Sequence, residues 1–191
     1  MVAALLIGGM AAKNNLAAAP DPKSQKTLGK NRPPVAGGAQ QVTATEGKTG
    51  QWLFNGIWRV CVLKVAAIRH PLEAERPGVG VLVEFRNGSK KTLTLHRTGV
   101  EGKPVLMDSD GNAPTLDEND WQIGAYFKDL IPAQSVRHEI KFYYPAGATA
   151  ESLQSALPEK LILLMDPKNG LLRDTGLKYS VKDPSFRIFL K

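Results

Sequence analysis

The stretch Val79–Asn87, VGVLVEFRN, decides the fold. Val79, Val81, Val83 and Phe85 fall on one side of an extended chain, and Gly80, Glu84 and Arg86 on the other. Side chains alternate across a β-strand, so this pattern is a strand with one apolar face. The pair Asn87-Gly88 follows as a turn signal, and TLTLH (92–96) answers it with Leu93 and Leu95 on the apolar side. Upstream, IWRVCVLKV (57–65) is β-branched and apolar on both faces at its centre, as in a strand covered from both sides.

Similar segments recur downstream. PVLMD (104–108) and WQIGAYF (121–127) are expected strands. SVRHEIKFYY (135–144) places Val136, His138, Ile140, Phe142 and Tyr144 on one face and Arg137, Glu139 and Lys141 on the other. KLILLMD (160–166) has the composition of a fully buried strand, and SFRIFLK (185–191) turns Phe186, Ile188 and Leu190 inward. The one expected helix is short, TAESLQSAL (149–157), with Thr149 as its cap. Strands at this spacing with turns between them, and no βαβ alternation, predict an all-β sandwich of about seven to nine antiparallel strands. A β-barrel is the structural rival, because counting strands does not separate the two.

The first 49 residues are different. MVAALLIGGMAA is an uncharged apolar run too short to span a bilayer and of the length of a signal-peptide core. No basic residue precedes it, and Pro20 follows the Ala17-Ala18-Ala19 site, which makes Gly9-Met10-Ala11 an alternative cleavage site. No lipobox cysteine lies near the run, so no lipid anchor is expected. Residues 13–49 are rich in Pro, Gly, Ala, Lys and Gln and hold no aromatic residue. Such a segment buries too little apolar surface to offset its ordering entropy. The expected organisation is a signal-like segment at 1–19, a linker at 20–49 and a folded domain at 50–191. Localisation outside the cytoplasm follows as an expectation, with no stable membrane span once the signal is removed.

The chain carries a net charge of +7, which raises the question of nucleic acid. Residues 1–49 contribute +4 of it, and no helix with a basic stripe or Gly-aromatic signature is visible in the rest. No nucleic-acid partner is expected.

The order of these motifs carries a resemblance. A tryptophan-bearing first long strand (NGIWRVCVLKV) precedes an alternating strand ending in FRNGSKKTLTL, then a DSDGN turn, then an IPAQS turn leading into HEIKFYYP. This resembles bacterial extracytoplasmic immunoglobulin-like domains of unknown function, over about residues 50–191. The resemblance implies an immunoglobulin-like sandwich and a periplasmic, cell-surface or secreted setting. It implies no catalytic residues, since such modules serve many roles. The segment TAESLQSAL departs from an ordinary seven-strand sandwich.

Chemistry has few candidates. Between Asp108 and Asp120 lie five acidic residues and two asparagines. Asp108, Asp110, Asn112, Asp117, Glu118 and Asp120 offer the hard oxygens that calcium takes. An EF-hand fails, because Ala113 stands where that loop requires glycine and Asn119 where it requires glutamate. Two readings stay open, a looser calcium site and a tight turn built by Asp-Gly and Gly-Asn, with the turn preferred. His70, His96 and His138 have no metal-ligand spacing to one another or to Cys61, the single cysteine. His138 reads as a core histidine and Cys61 as a small buried hydrophobe. Ser135 and His138 differ by an odd number and point to different faces, and there is no nucleophile elbow and no phosphate loop. No particular pair of acids suggests glycoside chemistry. Tyr143 and Phe189 fall on the outward faces of their strands and are the candidate partner-binding residues. The expectation is a non-catalytic interaction or envelope module that binds a protein partner and has no cofactor. Its alternative is a calcium- or ligand-binding module using the 108–120 loop.

Overall fold

A computed structural model describes residues 45–148 and 158–191. Two long strands dominate it, β3 (Trp58–Arg69) and β4 (Pro77–Asn87), paired antiparallel with one irregularity between Val62 and Lys64. On the other flank of β4 runs β7 (Ser135–Tyr143), also antiparallel. Short strands β2 (Leu53–Phe54) and β6 (Thr115–Leu116) complete a five-stranded sheet in the order β2-β3-β4-β7-β6. The second sheet has the order β1-β9-β8-β5, from β1 (Glu46–Lys48), β9 (Phe186–Phe189), β8 (Pro158–Leu163) and β5 (Val105–Asp108). Its pairings are antiparallel except β1 with β9, which is parallel. The sheets share no strand, so the fold is a sandwich and the barrel alternative falls.

The apolar faces meet in one core. Val60, Val62, Val81, Val83, Phe85, Ile140 and Phe142 come from the larger sheet, and Leu106, Leu161, Leu163, Phe186 and Ile188 from the smaller. Trp58 and Trp121 are fully buried within it. The Trp58 indole N–H donates to Thr98 Oγ1 at 2.8 Å, which satisfies its polar edge. Buried Asn55 has the same role at a turn: its Oδ1 accepts from Trp58 N and Ile57 N, and its Nδ2 donates to Pro184 O.

Four expectations need correction. The segment 92–96 is not a strand. Leu93 and Leu95 do point inward, but only Leu93 makes a bridge, to Leu130, and a 3₁₀ turn follows at His96–Thr98. The reason lies in β4, both of whose edges are already taken by β3 and β7. The Asn87 side chain, fully buried, donates to Lys91 O and Leu130 O and so steers the chain away from a hairpin. The segment 121–127 is helical, with α1 (Glu118–Trp121) continuing as a π-helical turn over Gln122–Tyr126. Asp117 caps it by accepting from Asp120 N. Trp121, Ala125 and Tyr126 face in while Ile123 and Phe127 face out, a helical spacing that alternation does not produce. Strand β8 is not fully buried: Leu161 and Leu163 are inside, while Lys160 and Ile162 are only partly covered. Finally, the domain begins before residue 50, since Glu46–Lys48 pairs with Arg187–Phe189.

The expected helix at 149–157 and the signal-like segment at 1–19 lie outside the described residues, as does the linker up to residue 44. Among the described residues no helix is long and apolar enough to cross a membrane.

Candidate functional site

The acidic segment 108–120 is divided among separate tasks. Asp108 is buried, and its Oδ1 accepts from Asp110 N at 3.0 Å and Asn112 N at 2.8 Å, while its Oδ2 accepts from Asn112 Nδ2 at 3.2 Å. Gly111, with φ of 82°, makes the turn that this carboxylate organises. Asp117 caps α1. Glu118 pairs with Lys103 at 2.9 Å. Asp120 lies 3.1 Å from Lys141 Nζ and 3.2 Å from His138 Nε2. The six oxygen-bearing residues thus do not converge. Among the described residues no group of three or more His, Cys, Asp or Glu side chains is placed to hold a metal ion.

His138 is the inward-facing histidine of β7, packed under the π-helical turn against Gly124. Burial pushes its imidazole below the ordinary histidine value, and the Asp120 carboxylate opposes this only in part. The ring is therefore neutral near pH 7. Ser135 lies on the other face of the strand, where it bonds to Glu84. His96 reaches Tyr126 OH through Nδ1 at 3.2 Å. Because that hydroxyl donates to Val100 O at 3.1 Å, it accepts from His96, which fixes the proton on Nδ1. Cys61 is buried, and burial first and the nearby Glu84 charge second push its thiol up. Its burial agrees with its place at the centre of the strand.

The outer face of the five-stranded sheet holds a feature that the sequence concealed. Glu84 falls on the face of the strand away from the core, yet only 4% of its side chain is exposed. It accepts from Arg137 Nε at 2.8 Å and from Arg86 Nη2 at 3.2 Å. Burial pushes its carboxyl up, but the hydrogen bonds from Arg137, Ser135 and Arg86 outweigh it and hold the group below the ordinary glutamate range. Trp52 lies over Arg86 at 5.0 Å and Phe54 over Arg59 at 4.5 Å. A layer of guanidinium groups and aromatic rings thus covers this face.

At one end of the same sheet the side chains form a cleft of about 270 Å³. Tyr143 of β7 is one side of it. His70, directly after β3, packs edge-on against the Tyr143 ring at 4.6 Å. Arg76, before β4, is held by Tyr144 O at 2.7 Å and Glu73 Oε1 at 3.2 Å. His70 Nδ1 accepts from Leu72 N and Glu73 N, so its proton sits on Nε2. Its 3.7 Å approach to Glu73 is accordingly not a hydrogen bond. The facing wall is Thr115–Asn119, which brings Asp117 and Glu118 to the cleft. Two of the six residues singled out by sequence therefore do meet Tyr143, one of the two candidate partner-binding residues.

The other candidate stands apart. Phe189 is 41% exposed, lies in the other sheet and has Lys160 Nζ over its ring at 4.8 Å. Tyr143 is only 5% exposed, because His70 and Arg76 cover it. The two do not form one aromatic patch.

No protein-family model matches the chain, and no curated protein matches it in sequence. Solved structures do resemble it. The yjhA protein from Bacillus subtilis is similar with a TM-score of 0.50 at 12% identity, over 76% of this chain and 99% of that one. An uncharacterized beta-sandwich protein from Clostridium difficile 630 is similar with a TM-score of 0.45 at 8% identity, over 80% of this chain and 98% of that one. The fold is a β-sandwich. Likeness at such identities concerns the fold alone, and neither description states an activity.

Proposed function

We propose that this chain is a non-catalytic, exported module of immunoglobulin-like type that recognises a protein partner through the Tyr143 cleft. The observation that carries the reading is the cleft's size and lining. Small-molecule sites commonly occupy about 300–1,000 Å³. A cleft of about 270 Å³ is better matched to one protruding side chain of a partner. Two acids, Asp117 and Glu118, against one cation, Arg76, leave the cleft net acidic, and with the Tyr143 and His70 rings they suit a cationic side chain, arginine or lysine. Export is supported by the apolar run at the start of the sequence and the Pro/Gly/Ala-rich stretch after it. The immunoglobulin-like assignment rests on the order of strand and turn motifs within a two-sheet sandwich. The non-catalytic reading is supported by Cys61, which is buried, and His138, which is largely covered, neither of them lining the cleft.

The test is a nuclear magnetic resonance titration of the full chain with pentapeptides bearing a central Arg, Lys or Glu. The Arg and Lys peptides are expected to shift His70 and Tyr143 saturably, and the Glu peptide to leave them unmoved. Asp117→Asn with Glu118→Gln removes both charges while keeping a good helix cap, and is expected to weaken binding about tenfold. Equal shifts from all three peptides, or an unchanged affinity in the double variant, would overturn the proposal.

A further inference from the structure

A second concavity, larger than the Tyr143 cleft, lies where α2 (Gly170–Thr175) and the chain after it cross the sandwich. It measures about 580 Å³, within the range of sites that enclose small molecules. Four cationic side chains line it: Lys168, Arg173, Lys178 and Lys182. Among the described residues no carboxylate lines it. Among the described residues none of the four cations takes part in an ion pair. The acids of the same stretch are directed elsewhere. Asp166 Oδ1 accepts from Lys168 N, and Asp183 accepts from Ser185 N and pairs with Arg187 at 2.9 Å. Asp174 is on α2 but does not line the groove.

The groove stands on fixed structure. Leu172 reaches into the core and is 3% exposed. The Tyr179 hydroxyl donates to Thr98 O at 2.5 Å, and Lys91 Nζ donates to Thr175 O at 2.5 Å. Asn169 caps α2 through Leu171 N, and Gly176, with φ of 67°, ends it. Four like charges around one concavity repel each other, and no carboxylate among the described residues forms an ion pair with them. Charge complementarity therefore specifies the occupant: an anion with several closely spaced charges. The apolar surface of Leu172, Leu177 and Tyr179 accepts a carbon skeleton beside them.

We infer that the groove of Lys168, Arg173, Lys178 and Lys182 is a binding site for a small organic molecule carrying two or more phosphate groups. This site is independent of the Tyr143 cleft, and failure of either leaves the other standing.

The test uses the full chain and inorganic tripolyphosphate as probe, with anionic phospholipid vesicles as a comparison. Calorimetric titration is expected to give saturable one-to-one binding that weakens steeply with salt. Lys178→Gln with Lys182→Gln is expected to weaken it about tenfold or more, since each cation supplies a charge-assisted contact. Lys90→Gln, an exposed lysine outside the groove, serves as control and is expected to leave it unchanged. Equal weakening in the control and the double variant would reduce the effect to net charge and overturn the site. So would binding to vesicles without binding to tripolyphosphate, or no saturable binding at all. The substituted lysines are exposed and, among the described residues, in no ion pair, so a failure of the variant to fold is not expected, and its melting temperature checks this.

Discussion

Replacing Glu84 by glutamine tests the account of the outer sheet face. The carboxylate receives Arg137 Nε at 2.8 Å and Arg86 Nη2 at 3.2 Å from within a nearly closed environment. The amide of glutamine has the same size, but only its oxygen accepts. One guanidinium keeps a hydrogen bond, now to a neutral acceptor and weaker, and the other faces an NH₂ group. Hydrogen bonds to charged groups contribute about 1.5–3 kcal/mol each and neutral ones about 1 kcal/mol. The arginine side chains are 34% and 68% exposed and recover part of their hydration, which reduces the loss. The net expectation is a destabilisation of about 2 kcal/mol at neutral pH. The pH dependence has a definite sign. The folded-state pKa of Glu84 lies below its unfolded value, so its contribution is complete above the ordinary glutamate range and is lost as pH falls through the folded value. The stability gap between wild type and E84Q is therefore full at neutral pH and narrows on acidification. Urea unfolding of both full-length proteins, from neutral pH down to about pH 3, measures it. A gap below about 0.5 kcal/mol at neutral pH, or one that does not change with pH, would refute the argument.

Two further perturbations address the helical segment and the acidic loop. Gly124→Ala places a methyl group directly against the His138 ring and is expected to destabilise by about 1–3 kcal/mol. Adding His138→Ala is expected to relieve most of that penalty, and thermal melts of the four proteins in the cycle would show additive effects if the contact were absent. Exchanging a chelator for millimolar calcium is expected to move the melting temperature by less than about 1 °C, because the oxygens of 108–120 do not converge. A rise of several degrees that magnesium does not reproduce would show that they rearrange into a site.

Much of the sandwich was legible because its main strands have one apolar face. Val81, Val83 and Phe85 alternate with Gly80, Glu84 and Arg86, and the structure buries the first set completely. Alternation assigns a face but not what covers it. Glu84 was therefore legible as outward and illegible as buried, since its cover comes from the register that sets Arg137 directly opposite. Tyr143 failed the same way: its outward position was readable, but not the turn that brings His70 and Arg76 over it. At 121–127 alternation is the wrong period. Trp121, Ala125 and Tyr126 carry a helical spacing, and Asp117 three residues before Asp120 is a capping signal that would have found it. The hairpin after Asn87 was unreadable locally, because it is excluded by β7, a strand about fifty residues away.

The same distinction separates fold from function in the charged residues. In the folded domain the acids are largely occupied by structure. Asp108 organises a turn, Asp117 caps α1, Glu84 ties two arginines, Glu118 and Asp120 hold lysines, and Asp183 holds Arg187. A loop rich in aspartate thus needs no metal to explain it, since backbone N–H groups at turns require acceptors. Among the described residues the four cations of the α2 groove take part in no ion pair. Long side chains with exposed heads contribute little to stability on a surface, and placing several of them round one concavity is unfavourable without a counter-charge. The cations around the α2 groove are the basis of the anion site proposed there, whereas the acidic stretch that stands out in the sequence is better explained by the fold than by a metal.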